Sequence, residues 1–448
     1  MEAAKEWVST TAKSELAASL SLELANRLKD PARVKQIVTA PGNISMLGGH
    51  PWDDVALSAG YPGTILLFTE WDRQAPDEGW DIVAHSHLLA LQEGLRQNGC
   101  SNISMFCGLS GAAFAVMSAS RKGTRYTEFM AELNERIADG ALDMVKDFKR
   151  SFDTEKGVSP KVYDVIMGLT GTGRYLLEWK HNDKAASALS AILEYLVELT
   201  YPIEVNGCTV PGWYVPQKYQ FSDQDKMSFP NGSFNCGLAH GIPGPLVLMS
   251  LALQKGVEVK EQRTAMRRIA QWLIYHAAMG EHGHFWPSVI SFEQETAQEG
   301  EELQRTRDAW CYGSAGVARS LFLAGRALGD ELFCRWGVRG FDSIFARPEE
   351  QWRLDGPTFC HGHCGLMQMT LRMAQDTGEE RFKGYVDRLL DIVLRYYEPD
   401  SPLGFRDLEV TQGIEKAGLL DGTPGVALTL LSLSLRTEPT WDYPFLIA

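Results

Sequence analysis

The sequence predicts an all-α fold, an α/α toroid (barrel) built from seven helical-hairpin repeats, with non-helical insertions near its mouth. Three observations carry this. First, Gly-x-x-Gly occurs seven times in similar contexts, at 60–63, 108–111, 168–171, 241–244, 313–316, 362–365 and 422–425. Second, each occurrence opens an apolar stretch, such as "TILLFTEW", "PLVLMSLAL" or "VALTLLSLSL". These are apolar around much of their circumference, as a helix packed on both sides must be. Third, amphipathic segments lie between them, among them "YTEFMAELNERIADGALDMV", "KAASALSAILEYLVELTY", "RTAMRRIAQWLIYHAAM" and "RFKGYVDRLLDIVLRYYE". Their apolar residues recur at three and four, the spacing of one helix face.

Each repeat therefore reads as an outer amphipathic helix, a loop, Gly-x-x-Gly and an inner helix. The glycines permit unusual torsions and close backbone approach where the inner helix begins. A helical hairpin cannot bury its apolar face alone, and closing into a ring covers every inner helix, with the glycine loops gathered at one end. An open solenoid is the competing arrangement. The repeats make residues 1–448 one catalytic domain. Their spacings are 48, 60, 73, 72, 49 and 60 residues. The two longest leave room for insertions at about 201–235 and 281–306, rich in Pro, Gly and aromatics, which read as loops or short strands. Long loops in a compact domain are often functional.

Bulk composition narrows the function classes. The 448-residue chain is 44% hydrophobic with a formal charge of −14, which argues against nucleic-acid binding through a basic surface. No apolar run reaches the roughly 18–20 residues of a membrane span. The polar start "MEAAKEWVSTTAKSELAASL" reads as a helix start rather than a signal peptide. Eight cysteines in a chain of this length point to a reduced, cytoplasmic setting, not a disulfide framework.

The most conspicuous chemical feature is "CHGHC" at 360–364. Five consecutive residues rarely supply four ligands to one ion, so the repeat register must sort them. With the first glycine of each repeat as zero, the preceding residue is Ala59, Cys107, Met167, His240, Tyr312, His361 or Asp421. One place earlier stand Ser58, Phe106, Ile166, Ala239, Cys311, Cys360 and Leu420. Cys311 and Cys360 thus share one place in adjacent repeats, and His240 and His361 share the next. Equivalent positions of a ring point the same way. The expected site is therefore Cys311, Cys360 and His361, with His240 beside it. His363 and Cys364 fall on the two x positions, where other repeats carry packing and turn residues. Two cysteines and one histidine suit Zn²⁺, with the fourth place left for water or substrate. A structural zinc would need a fourth ligand, for which Cys364 is nearest, and an iron–sulfur cluster would want four thiolates. The remaining histidines, at 50, 85, 87, 181, 276, 282 and 284, have no register with the centre.

The motifs "YDVIMGLTGTGRYLL", "FPNGSFNCGLAHGIPGPL", "RDAWCYGSAGVA" and "FCHGHCGL", in that order, resemble those of the lanthipeptide cyclases, the lanthionine synthetase C-like family. The resemblance covers nearly the whole chain. It implies one zinc ion on Cys311, Cys360 and His361, an active-site histidine at His240, and site roles for Asp164, Arg307 and Tyr312. His363 and Cys364 depart from the aromatic and small residues usual in the family. A pair between Asp164 and Arg307 would tie two loops together; the plainer reading is a solvated salt bridge. Tyr312 would hydrogen-bond an enolate oxygen or simply pack.

The bacterial class I members of the family add peptide cysteine thiols to dehydroalanine and dehydrobutyrine, forming lanthionine and methyllanthionine rings in a precursor of leader plus core. The resemblance implies such a substrate, a partner dehydratase and peptide transporter, and a cytoplasmic enzyme held peripherally at the membrane by that complex. The insertions would form a groove for the leader. Three alternatives share the residues in part: an enzyme adding glutathione or another thiol to dehydrated residues, a protein prenyltransferase subunit, and a non-catalytic zinc-stabilised peptide scaffold. Six repeats and an Asp ligand would mark the prenyltransferase.

Overall fold

The computed structural model describes Trp7 and residues 13–46, 48–154, 156–296, 303–410 and 412–448. Most of the charged N-terminal stretch and residues 297–302 of the second insertion lie outside these. The chain divides into two compact units, residues 1–133 with 354–444, and residues 134–353 with 445–448.

Every Gly-x-x-Gly segment opens a helix. In the first unit these are Tyr61–Gln74, Leu109–Ala119, His363–Thr377 and Thr423–Ser432. In the second they are Leu169–Leu176, Pro243–Gln254 and Ser314–Leu328. They are the core. All residues from 363 to 374 and from 423 to 432 are buried, as are 243 to 252 and 314 to 325. A helix with no polar face has to be covered on every side. The amphipathic segments form the partner helices, such as Glu380–Arg395 against His363–Thr377, and Gln262–Tyr275 against Pro243–Gln254.

Neighbouring repeats are joined at one register. In the first unit the amide of Ser58 donates to the carbonyl of Phe106 at 2.9 Å, and that of Cys360 to Leu420 at 3.0 Å. In the second, Val165 donates to Ala239 at 2.9 Å and Ala239 to Cys311 at 3.2 Å. Three of these bonds join residues aligned by sequence; the fourth starts from Val165, one place before the aligned Ile166. The amide of Leu420 donates to Ser58, so the last Gly-x-x-Gly repeat lies directly against the first. An open solenoid would leave those two apart.

The glycines serve approach more than torsion. A Cβ at Gly63 would sit 2.6 Å from the Leu419 amide nitrogen, so a side chain there would force the first and last repeats apart. Only Gly313, among the first glycines of the motifs, has a positive φ, +89°. The expectation of unusual torsions at each inner-helix start is corrected to this one position.

The two insertions are non-helical for most of their described length. They pair with each other: strand Ser233–Asn235 runs antiparallel to Val289–Ser291, with Phe234 opposite Ile290. Strands Pro202–Val205 and Cys208–Pro211 form a hairpin, and a short capped helix spans Asp223–Ser228.

In the first unit, the chain leading to 444 clamps the inner helix His363–Thr377. Arg372 Nη2 and Nε donate to the two oxygens of fully buried Asp442 at 2.6 and 2.9 Å, and Gln368 donates to the same carboxylate at 2.7 Å. Removing one partner of a buried pair strands the other without solvent. Asp442→Ala should therefore cost about 3–5 kcal/mol, read as a lower urea midpoint with an unchanged slope.

Candidate active site and metal centre

The second unit holds an aspartate–histidine dyad. Asp164 is fully buried, and its Oδ1 accepts the amides of Met167 and Gly168 at 2.7 and 2.8 Å. Its Oδ2 receives the Nδ1 proton of His240 at 2.6 Å. Asp164 leads into one repeat and His240 ends the loop of the next; the Val165–Ala239 hydrogen bond places them side by side. The expected Asp164–Arg307 pair is not the one formed, because the two amides and His240 fill the carboxylate. With Nδ1 engaged, Nε2 is the nitrogen that can exchange a proton with a substrate.

Around His240 stand aromatic rings. Phe221 lies edge-on at 5.0 Å between centroids and Tyr312 at 6.1 Å. The Tyr312 hydroxyl oxygen accepts from Asn235 Nδ2 at 3.1 Å, and Asn235 Oδ1 accepts the Gly237 amide at 2.9 Å. That second bond fixes the amide's orientation, so Tyr312 is oriented as a hydrogen-bond donor. Arg307, Cys311 and Tyr312 line a cleft of about 500 Å³ that Phe221 and Phe229 of the first insertion also line. The segment carrying them is anchored next door: buried Asp308 accepts from Arg347 at 2.6 Å. Burial raises the Asp308 pKa, and the Arg347 charge opposes that rise.

The first unit holds a donor cluster. Cys360, His361 and Asp421 each offer a ligand atom, all within 4.8 Å of one another. Their positions follow from the register: Cys360 is tied to Leu420 by a backbone hydrogen bond, which sets His361 beside Asp421. Oδ1 of Asp421 has no hydrogen-bond partner. A thiol, an imidazole and an unsatisfied carboxylate oxygen form a donor set that fits Zn²⁺. Burial raises the Asp421 pKa, against the attraction of His361.

The other half of "CHGHC" is packing. His363 Nδ1 contacts the Gly356 carbonyl at 2.8 Å and its ring lies against Tyr396. Cys364 is fully buried, and burial pushes its thiol pKa far up. Such a thiol is a poor nucleophile and ligand.

The profile of the family described as "Lanthionine synthetase C-like protein" matches residues 51–446. The chain belongs to that family. It is an enzyme of the lanthionine synthetase, or lanthipeptide cyclase, class. Among curated relatives, the nisin biosynthesis protein NisC of Lactococcus lactis subsp. lactis is 25% identical over 359 residues, 79% of this chain and 82% of its own. A solved nisin cyclase superposes with a TM-score of 0.78 at 21% identity, covering 97% of this chain and 98% of its own. The shared fold is the α/α toroid. Among the described residues no helix is long and apolar enough to cross a membrane.

Two further residues of the candidate site of this lanthionine synthetase C-like protein are not singled out by sequence. Asp421 occupies the same register place as His240 and His361, which is the signal in the sequence that points to it. Asn235 stands inside "GSFNCGLAHG", yet nothing in sequence marks its contact with Tyr312.

Proposed function

We propose that this protein is a zinc-dependent cyclase that adds cysteine thiols of a dehydrated precursor peptide across dehydroalanine and dehydrobutyrine. The products are lanthionine and methyllanthionine rings. The observation that carries this reading is the Cys360–His361–Asp421 donor cluster, at the place where the family's motif implies zinc. Cys360 and His361 are two of the ligands, and Cys311 enters as the third on its sequence register and motif. Bound there, zinc would keep a substrate cysteine, whose pKa is ordinarily ~8.5, in its thiolate form near neutral pH.

The remaining chemistry falls to the dyad and its neighbours. Sulfur attacks the β-carbon, a carbon–sulfur bond forms, and the π electrons move onto the α-carbon and its carbonyl as an enolate. The thiol's proton must end on the α-carbon. His240 can carry it through Nε2, while Asp164 holds the ring in one tautomer and balances the charge of the protonated form. Tyr312, oriented by Asn235, donates toward the enolate oxygen. Arg307 lines the cleft that receives the peptide, and the insertions 201–235 and 281–306 form a groove for its leader. Deleting residues 210–225 should weaken precursor binding. Unchanged affinity for the full-length precursor would remove the insertion from that role.

A dehydratase and a transporter are the partners this chemistry calls for. One must make the dehydro residues and the other export the product. The competing reading, addition of a free thiol such as glutathione, is tested by incubating enzyme, zinc, dehydrated precursor and glutathione together. Intramolecular closure leaves the peptide mass unchanged. A product heavier by one glutathione would favour the competing reaction.

A further inference from the structure

Accepting that the cluster of the first unit holds zinc, the geometry points to distinct roles for two carboxylates that flank His361: Asp421 is a metal ligand in the resting protein, and Asp407 is the outer carboxylate that orients the imidazole. Asp421 Oδ1 lies 3.8 Å from His361 Nδ1, and Asp407 Oδ1 lies 3.8 Å from His361 Nε2. An imidazole that binds a metal through one nitrogen commonly turns the other toward an outer carboxylate, and here one carboxylate faces each ring nitrogen.

Their surroundings decide which is which. Asp407 is 2% exposed, and both its oxygens are engaged: Oδ1 accepts from Thr358 at 3.1 Å and Oδ2 pairs with Lys416 at 2.6 Å. It is held by the protein and has little capacity left for a cation. Asp421 Oδ1 is enclosed without a hydrogen bond and shares its neighbourhood with the Cys360 thiol. A separation of 3.8 Å, the same on both sides of the ring, is too long for a hydrogen bond, so the surroundings and not the distance tell the two carboxylates apart. That separation is close to the roughly 3.3–3.8 Å between two ligand atoms of a tetrahedral zinc with bonds of about 2.0–2.3 Å. Asp421 thus occupies the coordination place a substrate sulfur needs, and a thiol must displace it.

The test is zinc affinity by chelator competition, with visible spectra of the cobalt(II)-substituted protein, for wild type, Asp421→Asn and Asp407→Asn. Asp421→Asn should weaken zinc by at least about 100-fold, beyond the outer-shell range, and should change the cobalt bands. Asp407→Asn should weaken zinc by roughly 10–100-fold while leaving the bands in place. N-acetylcysteine should shift the wild-type cobalt spectrum as sulfur replaces oxygen. Asp421→Ser, smaller and without the carboxylate, should match Asp421→Asn. Wild-type affinity and an unaltered cobalt spectrum in both Asp421 variants would overturn the assignment. A wild-type protein that holds no stoichiometric zinc would sink the zinc reading itself, a distinct failure.

Discussion

Cys360→Ala should abolish ring formation and strip the protein of zinc. The thiol is a strong ligand only as thiolate, and a metal is what keeps it so near neutral pH. Removing it takes away both a bond to the ion and the negative charge that balances it. Zinc affinity should fall by more than the roughly 10–100-fold that a change outside the ligand shell costs. Cyclisation should drop to the uncatalysed background, because the substrate sulfur loses its activation along with the ion. The fold should survive: Cys360 is only half-buried, and its backbone amide, not its side chain, makes the bond to Leu420. Zinc content by atomic emission and a melting curve on the same sample separate loss of metal from loss of structure. Cys364→Ala is the contrast. It removes a buried packing atom next to the same loop and should lower stability by about 1 kcal/mol, with zinc retained.

His240→Ala should leave zinc in place and lower kcat by about 10²–10⁴-fold, the range for a positioned proton carrier. Thiolate formation and proton delivery to the α-carbon are separable, so the two variants should fail differently. The Cys360 variant binds precursor but holds no metal; the His240 variant holds metal and reacts slowly. Asp164→Asn should resemble His240→Ala in direction. An asparagine in that place can turn its amide nitrogen toward Nδ1, which favours the tautomer with its proton on Nε2. The pH profile of kcat should change shape in both variants, which a purely structural defect would not cause. Solvent deuterium at the new α-carbon, read by mass spectrometry, should still be incorporated in the residual product, because protonation then falls to water.

Much of this site is legible in the sequence because its repeats are. The inner helices announce themselves by unbroken apolarity, and that apolarity has one physical meaning, coverage on all sides. Once the glycines are aligned, Cys360 and His361 take the places shared with Cys311 and His240, while His363 and Cys364 fall on packing positions. The structure agrees with that division, since His363 bonds the Gly356 carbonyl and Cys364 is sealed in the core. Three things were not legible. The motif glycines allow both unusual torsions and close approach, and only the contact distances and φ angles show that most of them serve approach and Gly313 alone of the first glycines takes a positive φ. Asp164 looks like a partner for Arg307 because opposite charges attract on paper; its pairing with His240 depends on the Val165–Ala239 hydrogen bond between repeats. Asp421 sat in the decisive register, yet an aspartate before a glycine is usually a solvated turn residue. Its enclosed and unbonded oxygen is a property of three dimensions alone.

The proposed reaction is a metal-dependent addition of a peptide thiol to a dehydro residue. The direct measurement is a count of free thiols by alkylation and mass spectrometry, on a dehydrated cysteine-containing precursor incubated with the protein, with zinc present or removed by chelation. With zinc, the thiol count should fall by one per ring while the unalkylated mass stays constant, and chelation should stop the fall. A thiol count that is unchanged with the zinc-loaded protein, or that falls equally after chelation, would rule out metal-dependent cyclisation.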